Sequence, residues 1–404
     1  MAAHELPMSD LPAPLPDLEF QAKPIALYVH WPFCASKCPY CDFNSHVAET
    51  IDQKSWQRAY LTELDTNASA LAGRRLTSIY FGGGTPSLMD PDTAGAVISR
   101  TCEIWPNNAG AALEITLEAN PNSAEAARFE AFSAAGINRL SLGIQAFDDD
   151  ALSFLGRTHS AAEALKALRR AKAQFKRVNA DMIYARPGQT VLAWRDELSR
   201  LLDEGLGHIS LYQLTIERGT PFFAAHRHGD FTLPLEDEQA QLYRTTDEEL
   251  ARAGLMAYEV SNYARPHEEC RHNLTYWRYG DFLGIGPGAH GRLTHGGAAL
   301  AIEKLRAPSD WLEAVSRCGE GLKSETPLSV LDRIHEMVVM GLRLSEGIDI
   351  DDFRAVTGGD FADHLDKVAM ARMVQAGYLT SSNRLAATKE GRLRLDAVIA
   401  ALLG

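Results

Sequence analysis

The 404-residue chain has ordinary apolar content and a formal net charge of −13, which excludes a general nucleic-acid-binding surface, since such surfaces are basic. No stretch approaches the roughly 20 consecutive apolar residues of a membrane-spanning helix. The length predicts two or three domains, with one large core and smaller additions.

Residues 1–23 are rich in proline and acidic residues and lack a basic-then-apolar leader pattern, so they read as a mobile arm. Three of the six cysteines, Cys102, Cys270 and Cys318, are isolated, as expected of reduced thiols in a cytoplasmic protein. After an apolar run, Ile25–His30, comes a cysteine-rich loop. Helical periodicity then covers 53–71. Strand-like Thr77–Phe81 leads into a glycine loop and a helix over 92–104. The alternation continues as strand 113–118, helix 123–135, strand 138–142, helix 161–174, strand 177–184, helix 192–202 and strand 208–214. A long acidic helix over 236–253 precedes a last strand near 256–259. Repeated strand–helix units of this kind argue for parallel strands. About six units, fewer than the eight of a closed barrel, predict an α/β fold: a partial (β/α)6 barrel with a lateral opening. The pattern becomes irregular over 307–326. From Leu328 helix, helix, helix and hairpin follow, like a winged helix. The expected domains are a barrel over 24–262, a connecting segment over 263–326 and a helical, winged-helix-like domain over 327–404. Arg384, Lys389, Arg392 and Arg394 could serve DNA binding there, but the acidic balance of this region favours a packing or lid role.

The chemistry starts at Cys34-Ala-Ser-Lys-Cys38-Pro-Tyr-Cys41, three thiols spaced C-x3-C-x2-C. Clustered thiolates select zinc or iron–sulfur clusters. Structural zinc takes four protein ligands, and no second cysteine pair lies downstream, although His30 or His46 could complete such a site. A disulfide does not suit an odd, crowded set of thiols in a reducing compartment. A [4Fe–4S] cluster held by three cysteines would leave one iron open to a ligand.

Other polar groups fall at the ends of the expected strands, where α/β folds place their sites. Gly82-Gly-Gly-Thr-Pro-Ser87 lets backbone approach a ligand but lacks the Gly-Lys-Ser/Thr of a phosphate loop. Glu118 ends the third strand, with Glu114 on the same face. Gln145 ends the fourth, Arg157 follows in Gly-Arg-Thr-His, and Asp181 belongs to the fifth. Each alone is as readily structural; together they put polar groups on one rim.

These motifs resemble the radical S-adenosylmethionine (SAM) proteins, in the branch holding the oxygen-independent coproporphyrinogen III oxidases and haem chaperones. Tyr-Val-His-Trp-Pro-Phe-Cys34, Phe81-Gly-Gly-Gly-Thr-Pro-Ser, Arg139-Leu-Ser-Leu-Gly-Ile-Gln-Ala-Phe and Leu155-Gly-Arg-Thr-His all match, from about Pro24 to the C-terminus. The resemblance implies a [4Fe–4S] cluster on Cys34, Cys38 and Cys41, with SAM chelating the open iron. It implies SAM contacts from Tyr28, Gly83, Gly84, Thr85, Glu118, Gln145, Arg157 and Asp181, with Tyr40, the aromatic residue before the last cysteine, joining the cofactor-binding set. One departure is Ala185-Arg-Pro187 where the family has Gly-Leu-Pro.

Two features separate the branches. Phe43 stands where the oxidases have a fourth cysteine, and Arg271-His-Asn-Leu-Thr-Tyr-Trp277 matches an HNxxYW motif linked to haem in the chaperones. His272 and Tyr276 are residue types that ligate haem iron, and Trp277 could pack on a porphyrin face; Asn273 completes the motif. A buried, hydrogen-bonded His272 is the simple alternative. Gly284-Ile-Gly-Pro-Gly288 lacks the strand–helix context of a dinucleotide site. The resemblance thus implies a haem chaperone with cluster, SAM and haem as cofactors. Its partners would be haem-acceptor proteins, with membrane-bound respiratory enzymes and a homodimer as candidates, and no nucleic acid. The competing activity is radical oxidative decarboxylation of coproporphyrinogen III.

Overall fold

The computed structural model describes residues 24–69, 71–105, 113–295 and 298–404; the arm expected over 1–23 lies outside them. Six strands follow the expected order: β1 Pro24–Trp31, β2 Arg75–Gly83, β3 Glu114–Ala119, β4 Arg139–Gln145, β5 Arg177–Tyr184 and β6 His208–Gln213. They pair in parallel, each with its neighbour in the chain. Helices α1 Gln53–Ala68, α2 Pro91–Ile104, α3 Ala161–Gln174 and α4 Val191–Leu202 lie among the crossovers, with two short helices, Ser123–Ala126 and Phe129–Ala134, where one was expected. Helix α3 shows the local logic. Ser160 and Glu163 form a capping box, and Ala161, Ala164, Ala167, Leu168 and Ala171 make one buried stripe at helical spacing.

Strand sequence dictates what faces inward. In Glu114-Ile-Thr-Leu-Glu118, Arg139-Leu-Ser-Leu-Gly143, Asn179-Ala-Asp-Met182 and His208-Ile-Ser-Leu-Tyr212, polar and apolar residues alternate with period two. The registers Thr116 to Arg139, Glu118 to Ser141, Ser141 to Asn179 and Asp181 to Ser210 put the polar set on one surface. Leu117, Leu140, Leu142, Ala180, Met182, Ile209 and Leu211 join the large buried core. The result is a curved sheet with an apolar outside under its helices and a polar inside, unlike the side-chain-filled interior of a closed barrel.

Beyond β6 the chain departs from expectation. Helix α5, Glu236–Arg252, leads to β7, Met256–Ala257, and β8, Asn262–Ala264, which form an antiparallel edge beside β6. The last strand expected is therefore a short edge piece, not another parallel unit. After helix α6, Arg271–Trp277, strand β9, Phe282–Ile285, pairs in parallel with β1 on the opposite edge. Strands β10 His290–His295, β11 Ala298–Lys304 and β12 Leu322–Pro327 continue that edge antiparallel, with helix α7, Pro308–Cys318, in the last crossover. The sheet order is β12-β11-β10-β9-β1-β2-β3-β4-β5-β6-β8-β7. Residues 282–327 thus extend the sheet rather than connect domains. The irregularity expected over 307–326 is not found: α7 and β12 fill the stretch, and the break between them is short, with Gly319 ending α7 in a left-handed conformation and Gly321 packed where a side chain would strike Trp311.

Buried Glu63 on α1 holds this extension in place. It accepts hydrogen bonds from the backbone of Gly286 (2.9 Å) and Gly321 (2.9 Å) and from Trp311 Nε1 (3.2 Å), and pairs with buried Lys304 (3.2 Å). Helix α8, Val330–Gly341, opens the C-terminal unit, whose own core surrounds a three-stranded sheet, as in a winged helix. The four basic residues singled out in its sequence have partners within the chain. Lys389 pairs with Asp247 of α5, Arg384 with Asp349 and Arg394 with Glu390, while Arg392 donates to Ser345. Of these contacts, that of Lys389 leaves the unit and reaches α5. Among the described residues, no helix is long and apolar enough to cross a membrane.

Candidate functional site

Cys34, Cys38 and Cys41 line a cavity of about 420 Å³ that runs from the cysteine loop down into the barrel. All three are partly exposed. Burial pushes the thiols of Cys34 and Cys41 up from their ordinary range. Polar hydrogens reach the sulfurs. Thr85 Oγ1 donates to Cys34 Sγ at 3.4 Å, Arg157 Nη1 to Cys38 Sγ at 3.3 Å, and Ser45 Oγ lies 4.0 Å from Cys41 Sγ. Asn120 joins two of these donors, giving its Nδ2 hydrogen to Thr85 Oγ1 at 3.2 Å and accepting from Arg157 Nη2. Asn120 was not singled out from the sequence; a short polar residue next to Pro121 at a strand end was the available signal.

The donor set fits a cluster better than a single ion. Among the described residues, no three His, Cys, Asp or Glu side chains converge on one metal-ion position. His30, the first zinc alternative, has both ring nitrogens occupied: Nε2 lies 2.9 Å from the Asn44 carbonyl and Nδ1 3.1 Å from the Tyr28 hydroxyl. His46 lies 3.3 Å from Asn44 Oδ1 on the exposed side of the loop. Three thiols around a volume, with hydrogen bonds aimed at sulfur, are what a thiolate-held cluster requires.

The glycine loop is built for close packing against the cysteine segment. A Cβ at Gly84 would lie 2.6 Å from the Phe33 carbonyl oxygen. At Gly83, with φ +114°, it would lie 2.7 Å from the His30 ring and 2.8 Å from the Trp31 carbonyl. The Gly84 and Thr85 amides donate to the Trp31 and Phe33 carbonyls at 2.7 Å each. These glycines therefore hold the cysteine segment in position as well as facing the cavity.

Tyr40, Gly83, Gly84, Thr85, Glu118, Gln145, Arg157 and Asp181 all line the cavity. Tyr28 does not. It lies in an adjoining space of about 270 Å³ that shares Gly83 and Glu118 with the first and is also lined by His290 and Arg306. Glu118 accepts from Tyr80 Oη (2.8 Å) and the Gly83 amide (3.2 Å); burial, reinforced by Asp181, lifts its carboxyl to about 7. Asp181 accepts from Ser141 Oγ (2.9 Å) and Asn179 Nδ2 (2.8 Å), and burial raises it too. A register shift after Gly143 leaves Gln145 at φ +70°, an uncommon conformation for a side-chain-bearing residue. Ala185, at the departure from Gly-Leu-Pro, takes a left-handed conformation, φ +57°, and Arg186 is buried against Glu197.

The HNxxYW segment forms α6, which closes the floor of the barrel. His272 is buried, its Nδ1 lies 3.1 Å from Ser78 Oγ, and its ring stacks on Tyr80 at 4.9 Å. Burial lowers its pKa to about 4. Tyr276 donates to Asn273 Oδ1 at 3.1 Å, and Arg343 covers the Trp277 ring at 4.7 Å. Of the four motif residues only Asn273 lines the cavity. The floor also contains Arg139, Asn179, Ser210 and Tyr212, which the strand patterns contain but sequence reasoning did not single out.

Residues 28–201 match the model of the radical SAM superfamily, and 328–394 that of the HemN C-terminal domain. The heme chaperone HemW of Haemophilus influenzae is 36% identical, over 93% of this chain and 97% of that protein. The chain belongs to the HemW family of radical SAM proteins. The Escherichia coli HemW is 34% identical over 93% of this chain and 97% of its own. The mitochondrial radical S-adenosyl methionine domain-containing protein 1 of Bos taurus is 40% identical over 80% of this chain and 74% of that protein. The structure of coproporphyrinogen III oxidase (HemN) from Escherichia coli superposes with a TM-score of 0.77, covering 94% of this chain and 90% of that one at 24% identity, a likeness of fold. Family membership accounts for the architecture: a partial radical SAM barrel followed by a HemN-type C-terminal unit.

Proposed function

We propose that this chain is a cytoplasmic haem chaperone that holds a [4Fe–4S] cluster on Cys34, Cys38 and Cys41, binds SAM beside it and carries haem to acceptor proteins. The observation that carries the cofactor half is the convergence of three thiols, their hydrogen-bond donors and the strand-end polar residues on one cavity. Bound there, the cluster would supply an electron and an open iron coordination position for SAM. The residues of the chain have separate tasks. Arg157 and Thr85 stabilise thiolate charge, and Asn120 keeps both donors in place. Glu118, at the boundary of its ionisation near neutrality, can take up a cationic amine by giving up its proton. Gln145 and Asp181 offer amide and carboxylate groups on the same cavity.

The haem half is supported by the HemW relatives, which are named heme chaperones and match along nearly their whole length, and by Phe43 in place of a fourth cysteine. The test is a haemin titration of the anaerobically reconstituted protein, followed at the Soret band, beside a turnover assay with coproporphyrinogen III, SAM and a reductant. Stoichiometric haem binding without conversion is expected. Multiple turnovers to protoporphyrinogen with no haem affinity would replace the chaperone with the oxidase.

A further inference from the structure

Two arginines stand side by side on the inner face of the barrel, in register on β4 and β5, and their situations differ. Arg177 is fully engaged. It pairs with Glu114 at 2.6 Å and Glu268 at 3.0 Å and donates to the carbonyls of Glu268 and Glu269. Arg139 is 2% exposed and lines the cavity, yet its only hydrogen bond among the described residues is a 3.5 Å contact to Thr116 Oγ1. A guanidinium carries five N–H donors, and a buried charge without a hydrogen-bonded partner is costly.

The neighbouring carboxylates Glu114, Glu118 and Asp181 feel its charge but direct their hydrogen bonds elsewhere. Glu114 gives Oε2 to Arg177, while its Oε1 accepts the His272 amide (3.2 Å) and the Cys270 thiol (3.5 Å). Glu118 is held by Tyr80 and Gly83, and Asp181 by Ser141 and Asn179. Arg139 is therefore a cation with an unfilled planar fork at the floor of a cavity whose upper end carries the cysteines. The group that matches such a fork is a carboxylate, held by two parallel hydrogen bonds.

We propose that Arg139 binds a carboxylate of the ligand that occupies the lower cavity, a haem propionate if the chaperone reading above is right. Asn273, the one HNxxYW residue on the cavity, shares that floor, so a ligand anchored at Arg139 lies over the motif helix without requiring His272 to leave its packed position.

The experiment compares haemin with its dimethyl ester, in which both carboxylates are capped, and with coproporphyrin III, a metal-free tetracarboxylate. Each is titrated into reconstituted wild-type protein, Arg139→Gln and Arg139→Lys. Cluster content and melting curves identify any variant that does not fold, in which case Arg139→Lys, retaining charge but not the fork, carries the comparison. Wild type is expected to prefer haemin over the ester by about tenfold or more. Arg139→Gln should remove that preference by weakening haemin alone, with Arg139→Lys intermediate. Equal binding of haemin and ester by wild type, or an equal loss of both in the variants, overturns the carboxylate site. Arg139-dependent binding of coproporphyrin III without haem binding would keep the carboxylate site and dismiss the haem reading. Absence of Arg139-dependent binding by either porphyrin would dismiss the carboxylate site.

Discussion

The two ends of the barrel interior use similar residue types in opposite ways. At the rim, cysteines, Thr85, Asn120 and Arg157 are linked to one another, and the thiols remain open to the cavity. At the floor, His272, Glu114 and Arg177 close on one another, and α6 seals the space beneath. A motif made of ligand-type residues is thus an open site at one end and mostly a packed plug at the other. The difference lies in which hydrogen-bonding capacity is left over: the sulfurs above, and Arg139 below.

The largest effect expected at the rim is loss of the cluster. Cys34→Ala, Cys38→Ala or Cys41→Ala should each abolish it, since two thiolates retain a cluster poorly, whereas Cys102→Ala and Cys318→Ala should not. Iron and sulfide analysis checks this, and full occupancy in Cys38→Ala would end the assignment. Next comes the glycine loop. Gly84→Ala places a methyl where the Phe33 carbonyl stands and should displace the cysteine segment, so that cluster absorbance and SAM binding fall together. Loss of SAM affinity with the cluster intact would mean that the loop serves the ligand only.

The floor is sharpened by comparing neighbours. His272→Ala removes a buried ring and its contact with Ser78, and should destabilise the protein by roughly 2–3 kcal/mol in thermal or chemical melts. Asn273→Ala should cost less stability and more haem affinity. If His272→Ala melts like wild type, the plug description fails.

The smallest effect concerns pH. Glu118 has its carboxyl raised to about 7 in the fold, chiefly by burial, from an ordinary value of 4.5. Between those values the folded state keeps a proton that the unfolded state has lost, so the group favours folding below about 4.5 and that contribution disappears as pH rises through about 7. His30 and His272, each lowered to about 4 from 6.5, act the other way: their contribution is present above 6.5 and disappears as pH falls through about 4. The readout is therefore the difference between Glu118→Gln and wild type without cofactors. The substituted protein should gain relative stability from pH 5 to pH 8. A constant difference over that range would show that Glu118 is not held near neutrality.

Much of this was legible because the barrel obeys local rules. Repeated strand–helix units indicated parallel strands, and polar residues at the strand ends, with a cysteine loop directly after an apolar strand, indicated a polar rim. Strand β9 was not legible. Phe282–Ile285 is a short run after the β7–β8 hairpin, and its partner β1 lies at the start of the chain. Nor could spacing reveal that His272 faces inward, since a seven-residue helix buries whichever side the floor accepts. Arg139 escaped notice for the reverse reason: a basic residue opening a strand resembles an ordinary solvated end until its neighbours take all the carboxylates.

Asn44 has a consequence for the order of assembly. Its side-chain amide donates to the carbonyls of Pro287 and Arg306, 243 and 262 residues further along the chain, and its own carbonyl faces His30. The cysteine loop is therefore fastened on one side by a part of the protein synthesised long after it. A nascent chain exposes its three thiols to the cell well before that fastening can form. Until Pro287 and Arg306 have been made, the loop can be held from the Gly84 and Thr85 side but not from the Asn44 side.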